Sequence, residues 1–331
     1  STVKNDELSY NLGDAVDRLI SVQYFMSGGG SALTRKPVTG VLYEAAREKA
    51  GAPLCHLAAK ALADNVQRGG AALITTGLIA PPYMTAEDDG PIAAATLARA
   101  IAVGLDATPV IVCEGVVVKA MEALCQAVGL MPSAPELAVG TPRKVIVLPF
   151  PLDDDLGRRE AMRLLDQFKP KVVLAIEKLS KNTKGIYHNG FGIDVSSVQA
   201  KVDYLFDFAR ERGIPTIGVG DGGNEIGTAC IADAVRNVVP TGAKCGCPCD
   251  SGIAAATPPI IASSAPSRIT AALPSRPAWP RDWSDPRSFI ARSCVAEFMR
   301  LAQLWAWWIR LRVSHSAGMT FRWKNTSTSW W

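Results

Sequence analysis

From Ala71 the chain alternates short apolar runs with longer amphipathic stretches: AALITTG, then PIAAATLARAIAVGL; PVIVCEG, then GVVVKAMEALCQAVG. The same beat continues through KVIVLPF, DLGRREAMRLLDQF, KVVLAIE, SSVQAKVDYLFDFARERG, PTIGVG and NEIGTACIADAVRNVV. Runs that are apolar throughout, rather than at every second position, mark strands covered on both faces. Strands that take turns with helices are joined by right-handed crossovers into a parallel sheet. The pattern predicts an α/β fold with a largely parallel sheet and helices on both faces.

Two apolar helical stretches, near residues 13–26 and 41–67, precede this unit and are expected to pack on the sheet. Between them runs GGGSALTRKPVTG, whose Gly28, Gly29 and Gly30 read as a flexible connection.

Composition changes the picture at the C-terminus. Of 331 residues 48% are hydrophobic, enough for a full core, and the net charge is +4. Residues 1–257 hold 25 Lys and Arg against 28 Asp and Glu, while residues 258–331 hold 10 against 3. All eight tryptophans, Trp279 to Trp331, lie in the tail. The step divides the chain into an α/β domain over 1–257 and an aberrant tail over 258–331, poorly ordered and read as the product of a frame change near residue 257. A genuine basic, aromatic segment is the alternative.

No apolar run is long enough to span a bilayer, and the N-terminus lacks the layout of a signal peptide. Cys55, Cys113, Cys125 and Cys230 fall inside predicted elements, which suits a reducing compartment. Cytoplasm is expected, or the mitochondrial matrix in a eukaryote.

Ligands of open parallel sheets bind beyond the carboxyl ends of the strands. Those positions are polar here: Thr75 and Thr76 after the first run, Glu114 after the second, Glu177 after the fourth, Asp221 after the fifth. AEDDGP sets Glu87, Asp88 and Asp89 before a helix beginning at Pro91; one acid there, Asp89, suits the helix start, and three exceed what a cap requires. The turn GDGGNEIG contains a weak G-x-G-x-x-G match at Gly218, Gly220 and Gly223, but Asp221 and Glu225 would repel a pyrophosphate unless a cation intervened. Read as helix, the four-residue spacing puts Asp221 just ahead of the helix that carries Glu225.

EKLSKNTKGIYHNGFGID brings Lys178, Lys181 and Lys184, which could meet a substrate carboxylate or be solvated, and a Tyr187-His188 pair. His188 offers a proton donor near neutrality. CGCPCD offers Cys245, Cys247 and Cys249 as soft ligands, but no C-x-x-C pair or neighbouring histidine accompanies them, so zinc is not expected.

Taken together and in order, TTG followed by AEDDGP, EKLSKNTKGIYHNGFGID and GDGGNEIG resemble the D-glutamate cyclase family over about residues 10–257. The resemblance implies a hydro-lyase of D-amino acid metabolism that removes water from D-glutamate to give 5-oxo-D-proline. Its small-molecule partner is an acidic amino acid; no nucleic acid or membrane partner is implied, and a homo-oligomer is possible. A divalent cation, Mg²⁺ or Mn²⁺, suits oxygen ligands, with Asp89, Asp221 and Glu225 expected to hold it. Glu177 is expected to accept the ammonium proton, His188 to protonate the leaving oxygen and Tyr187 to orient the reacting groups. Thr76, Lys178, Lys184, Gly222, Gly223 and Asn224 are expected to bind substrate. The strand and helix with which the family continues past Thr257 are not legible in the sequence. Two competing readings are a metal-dependent hydrolase or phosphatase on the same sheet, and an inactive product of the altered tail.

Overall fold

The computed structural model describes residues 2–21, 38–258 and 261–263. In chain order its helices are α1 (Thr2–Ile20), α2 (Thr39–Ala50), α3 (Leu54–Asn65), α4 (Asp89–Gly104), α5 (Val118–Ala127), α6 (Pro135–Ala138), α7 (Asp154–Phe168), α8 (Asp203–Glu211) and α9 (Ala232–Val238). Its strands are β1 (Ala71–Thr75), β2 (Ile79–Ala80), β3 (Thr85–Ala86), β4 (Thr108–Cys113), β5 (Met131–Pro132), β6 (Lys144–Pro149), β7 (Val172–Ile176), β8 (Thr216–Val219) and β9 (Ile261–Ser263).

Seven strands form one sheet in the order β5-β6-β4-β1-β7-β8-β9, and every pairing in it is parallel. The five runs read from the sequence are its middle, and β1, β4 and β7 are buried at every residue, as runs without polar alternation require. One apolar core lies between the sheet and α3, α4 and α5; a second lies between its other face and α7 and α8. The α7 start is fixed by Asp153, whose side chain accepts from Leu156 N, and by Asp154 and Asp155 in the first turn.

The chain runs outward from β1 through β4 to β6 on one side, then returns to β7 and runs outward through β8 to β9 on the other. β1 and β7 are therefore the neighbours at which the winding reverses, and the crevice beyond their carboxyl ends is the expected ligand position.

Four features differ from the sequence reading. The apolar stretch 41–67 is two helices, divided at Gly51, whose φ is +70°, and Pro53. The segment leading into AEDDGP forms a small antiparallel β2–β3 hairpin. The helix expected from Asn224 begins at Ala232, after a 3₁₀ turn over Thr228–Ile231. A strand also lies past residue 257: β9 pairs with β8, Ile217 opposite Ile261. Gly28 to Gly30 and the expectations for the tail beyond residue 263, tryptophans included, lie outside the described residues. Among the described residues, no helix is long and apolar enough to cross a membrane.

Candidate functional site

Thr76, Glu114, Glu177 and Asp221 all follow strands that are neighbours in the order β4-β1-β7-β8, so they share one edge of the sheet. Thr76 leaves β1 fully buried, and its hydroxyl has no partner among the described residues. Glu177 leaves β7 with φ +46°, a left-handed backbone that a non-glycine residue holds only under constraint from its surroundings. Gly90, in the first turn of α4, closes the space between the two: a Cβ there would stand 2.8 Å from Thr76 Oγ1 and 2.9 Å from Glu177 Cβ.

Lys178, expected on an open loop, is instead 0% exposed and paired with Glu114, itself 2% exposed. Its Nζ also donates to the Gly77 carbonyl at 2.7 Å, and Glu114 Oε1 accepts from Ala200 N at 2.7 Å. The ammonium is matched inside the protein, because an unpaired charge at that depth would cost several kcal/mol. The pair ties the turns after β1, β4 and β7 together.

The loop after β8 also departs from expectation. Glu225 is not on a helix; its buried carboxylate folds back and accepts from the amides of Gly222 and Gly223, both at 2.8 Å, and of Asp221 at 3.3 Å. Gly222 and Gly223, expected to bind substrate, give their amides to Glu225. Gly223 has φ +93°, and its glycine is also required by Val235, which a Cβ would meet at 2.6 Å. Burial pushes the Glu225 carboxyl above its usual range, while the three amides pull against that shift.

One carboxylate oxygen from each of Glu177, Asp221 and Glu225 lies within 4.8 Å of the others. Asp221 and Glu225, expected as cation ligands, lie together with Glu177, expected as the proton acceptor, and Asp89 is not in the group. Asp89 begins α4, and its carboxylate accepts from Gly90 N at 2.8 Å. Three hard oxygen donors, two of them buried, form a group that could hold a metal ion.

In the loop after Glu177, Tyr187 and His188 have partners other than those expected of them. Tyr187 is buried and its hydroxyl donates to Asp203 Oδ2 at 2.6 Å, where Ser180 Oγ and Thr257 Oγ1 donate to Oδ1 at 2.7 and 2.5 Å. Burial and the neighbouring Asp203 push the phenol far above its usual pKa. Tyr187 thus sits in a structural network rather than among the three carboxylates. Lys184 lies exposed on the turn closed by Gly185 N and Asn182 O. Asn224, buried beside Glu225, donates through Nδ2 to the His188 carbonyl at 2.9 Å.

His188 is 1% exposed, and its Nε2 faces sulfur: Cys247 Sγ at 3.2 Å and Cys249 Sγ at 3.6 Å. Cys245 Sγ completes the group, 3.5 Å from Cys247 Sγ and 3.3 Å from Cys249 Sγ. The histidine missing from the neighbourhood of CGCPCD comes from 59 positions before Cys247. Local spacing carried no signal of it. Nε2 is turned to the sulfurs, away from the proton-donor role read from sequence.

A cavity of about 530 Å³ opens at the same sheet edge, lined by Ile79, Glu114, Pro149, Phe150, Leu152 and Val198 among others. Glu114 is the link between this apolar cavity and the Lys178 pair, but Glu177, Asp221 and Glu225 do not line it.

Comparison with known proteins agrees with the blocks that flank this edge. The chain is 32% identical to human "D-glutamate cyclase, mitochondrial" over 83 residues, which is 25% of this chain and 14% of that protein. A family model described as "D-glutamate cyclase-like, C-terminal" matches residues 31–257, beginning later than the resemblance read from sequence and ending at the same residue. With the greater part of its length matched, including every strand from β1 to β8 and the whole carboxyl edge, this chain belongs to the D-glutamate cyclase-like C-terminal family.

Proposed function

We propose that this chain is a hydro-lyase that closes D-glutamate to 5-oxo-D-proline with release of water, assisted by a divalent cation. The observation that carries the reading is the convergence of Glu177, Asp221 and Glu225 within 4.8 Å at the carboxyl edge of the sheet. Ring closure forms a bond from the α-nitrogen to the γ-carboxyl carbon and breaks one C–O bond there, the oxygen leaving as water. The amine must be neutral to attack, and a carboxylate is a poor electrophile. A bound Mg²⁺ or Mn²⁺ would polarise that carboxyl.

Asp221 and Glu225 would hold the cation, with Glu177 the third oxygen donor within reach. The amides on Glu225 fix its oxygens in place before any ligand arrives, so little ordering remains to be done on binding. Glu177 accepts the ammonium proton and returns it to the leaving oxygen, and the second proton of the departing water also comes from the amine nitrogen. Thr76 hydroxyl, buried against Gly90 and lacking a partner among the described residues, is the group that orients the substrate.

The test is chiral detection of 5-oxoproline after incubation with D- or L-glutamate, with chelator and with Mg²⁺ or Mn²⁺ restored. Product from the D-form that disappears with chelator and returns with either ion supports the reading. Absence of 5-oxoproline under all conditions overturns it, and orthophosphate from a phosphomonoester under the same conditions would favour a phosphatase on this sheet instead.

A further inference from the structure

The four-atom group formed by His188 Nε2 and the sulfurs of Cys245, Cys247 and Cys249 lies apart from the carboxylates and has no part in the reaction above. Every one of its atoms lies within 4.8 Å of the others, and four of the six separations run from 3.2 to 3.6 Å. Sulfurs bound to one tetrahedral zinc at about 2.3 Å stand about 3.8 Å apart, and a sulfur and a nitrogen somewhat less. A disulfide would need about 2.05 Å, and all seven cysteines of the described residues are free. Four soft or borderline donors thus stand at separations close to those that a single tetrahedral ion imposes on its ligands.

We propose that these residues form a closed Cys₃His zinc site that fastens the loop after β7 to the chain segment following α9. Three thiolates and an imidazole select zinc over the hard cation of the carboxylates, and four protein ligands leave no open position for substrate, so the ion is structural. Asn182 Nδ2 points at Cys249 Sγ from 3.5 Å and donates to the Gly252 carbonyl at 2.8 Å, which gives the sulfur cluster an outer hydrogen bond on the side of the β7 loop. The same closure fixes the backbone of His188, whose carbonyl holds Asn224 beside Glu225. Zinc here is a positioning element for the loop after β8, and it stands whether or not D-glutamate is the substrate.

The experiment measures metal directly. The full chain, expressed with zinc in the medium and desalted, is analysed by elemental mass spectrometry, and its thiols are mapped by alkylation and peptide mass analysis before and after a strong chelator. About one zinc per folded chain is expected, with Cys245, Cys247 and Cys249 protected until chelation. Cobalt exchanged into the site should give thiolate charge-transfer absorption. Cys247→Ser should lose most of the zinc, whereas Glu225→Gln should keep it, which separates this ion from any held by the carboxylates. A wild-type chain that is folded by circular dichroism yet holds under a tenth of an equivalent of zinc after reconstitution overturns the proposal. So does a disulfide between any two of the three cysteines in protein kept reduced during purification, or full zinc content in Cys247→Ser.

Discussion

Replacing Lys178 with Met tests how the three turns at the carboxyl edge are held together. Both members of the Lys178–Glu114 pair are out of solvent, so neither charge can be rescued by water when its partner goes. Lys178→Met deletes the ion pair and the bond to the Gly77 carbonyl, leaving Glu114 with the Ala200 amide and an Oε2 that has no partner among the described residues. Breaking one half of a buried pair costs about 3–5 kcal/mol, a large share of the 5–15 kcal/mol that usually separates folded from unfolded states (roughly). For a chain of this size the loss corresponds to roughly 6–20 °C in Tm. Glu114→Gln should cost a comparable amount, since it strands the ammonium instead. The double variant removes both charges, and methionine fills the lysine stem, so it should be more stable than the sum of the single losses by about 2–4 kcal/mol. Urea denaturation followed by circular dichroism on the four proteins gives this coupling. Additivity within about 0.5 kcal/mol would mean that the two charges do not depend on each other, and the reasoning would fail.

Gly77→Ala should destabilise by about 1–3 kcal/mol in the same assay, because φ is +100° and the new Cβ would stand 2.7 Å from Glu114 Oε2. Tyr187→Phe should lower stability by about 1–3 kcal/mol through the loss of the Asp203 bond, while kcat for 5-oxoproline formation stays within about twofold; a loss of turnover without loss of stability would return Tyr187 to the reaction. Burial raises the Glu225 pKa on folding, so its contribution to stability is fully present below the unfolded carboxyl range and is lost as pH rises through the folded value. Added Mg²⁺ or Mn²⁺ should therefore raise Tm more at pH 8 than at pH 5, because protons compete for the same oxygens. Calorimetric titration should show at least tenfold weaker cation binding in Asp221→Asn with the fold retained; equal affinity would remove the carboxylate metal site.

The central strands were legible because burial on both faces writes itself as uninterrupted apolar sequence, as in AALIT and VVLAI. Strands of two or three residues, β5 and β9, carry too few positions for any periodicity. The carboxyl-edge residues were legible for the same topological reason, each being the first polar position after a strand. What the sequence concealed was depth and partnership. Lys178 sits among Lys181 and Lys184 in a loop that reads as solvated, and nothing local shows that its partner is Glu114, 64 positions away. The helix expected at Glu225 failed because amide bonds to its own side chain shape the backbone of that loop more strongly than the four-residue spacing does. His188 stood out as one of three histidines in the chain, but one histidine gives no sign of three distant sulfurs.

The strand order sets a timetable for synthesis. β1 lies at the centre of the sheet, but its second neighbour is far downstream: Thr75 Oγ1 reaches the Leu174 carbonyl across 99 positions. At about 5–20 residues per second, β1 waits some 5–20 s after emerging before β7 can cover it. During that interval β4 and β6 can join on one side while the other edge of a strand destined for complete burial stays open, a template for another nascent chain. Translation pauses between Phe168 and Val172 should therefore favour aggregation, whereas slowing downstream of β8 should matter far less.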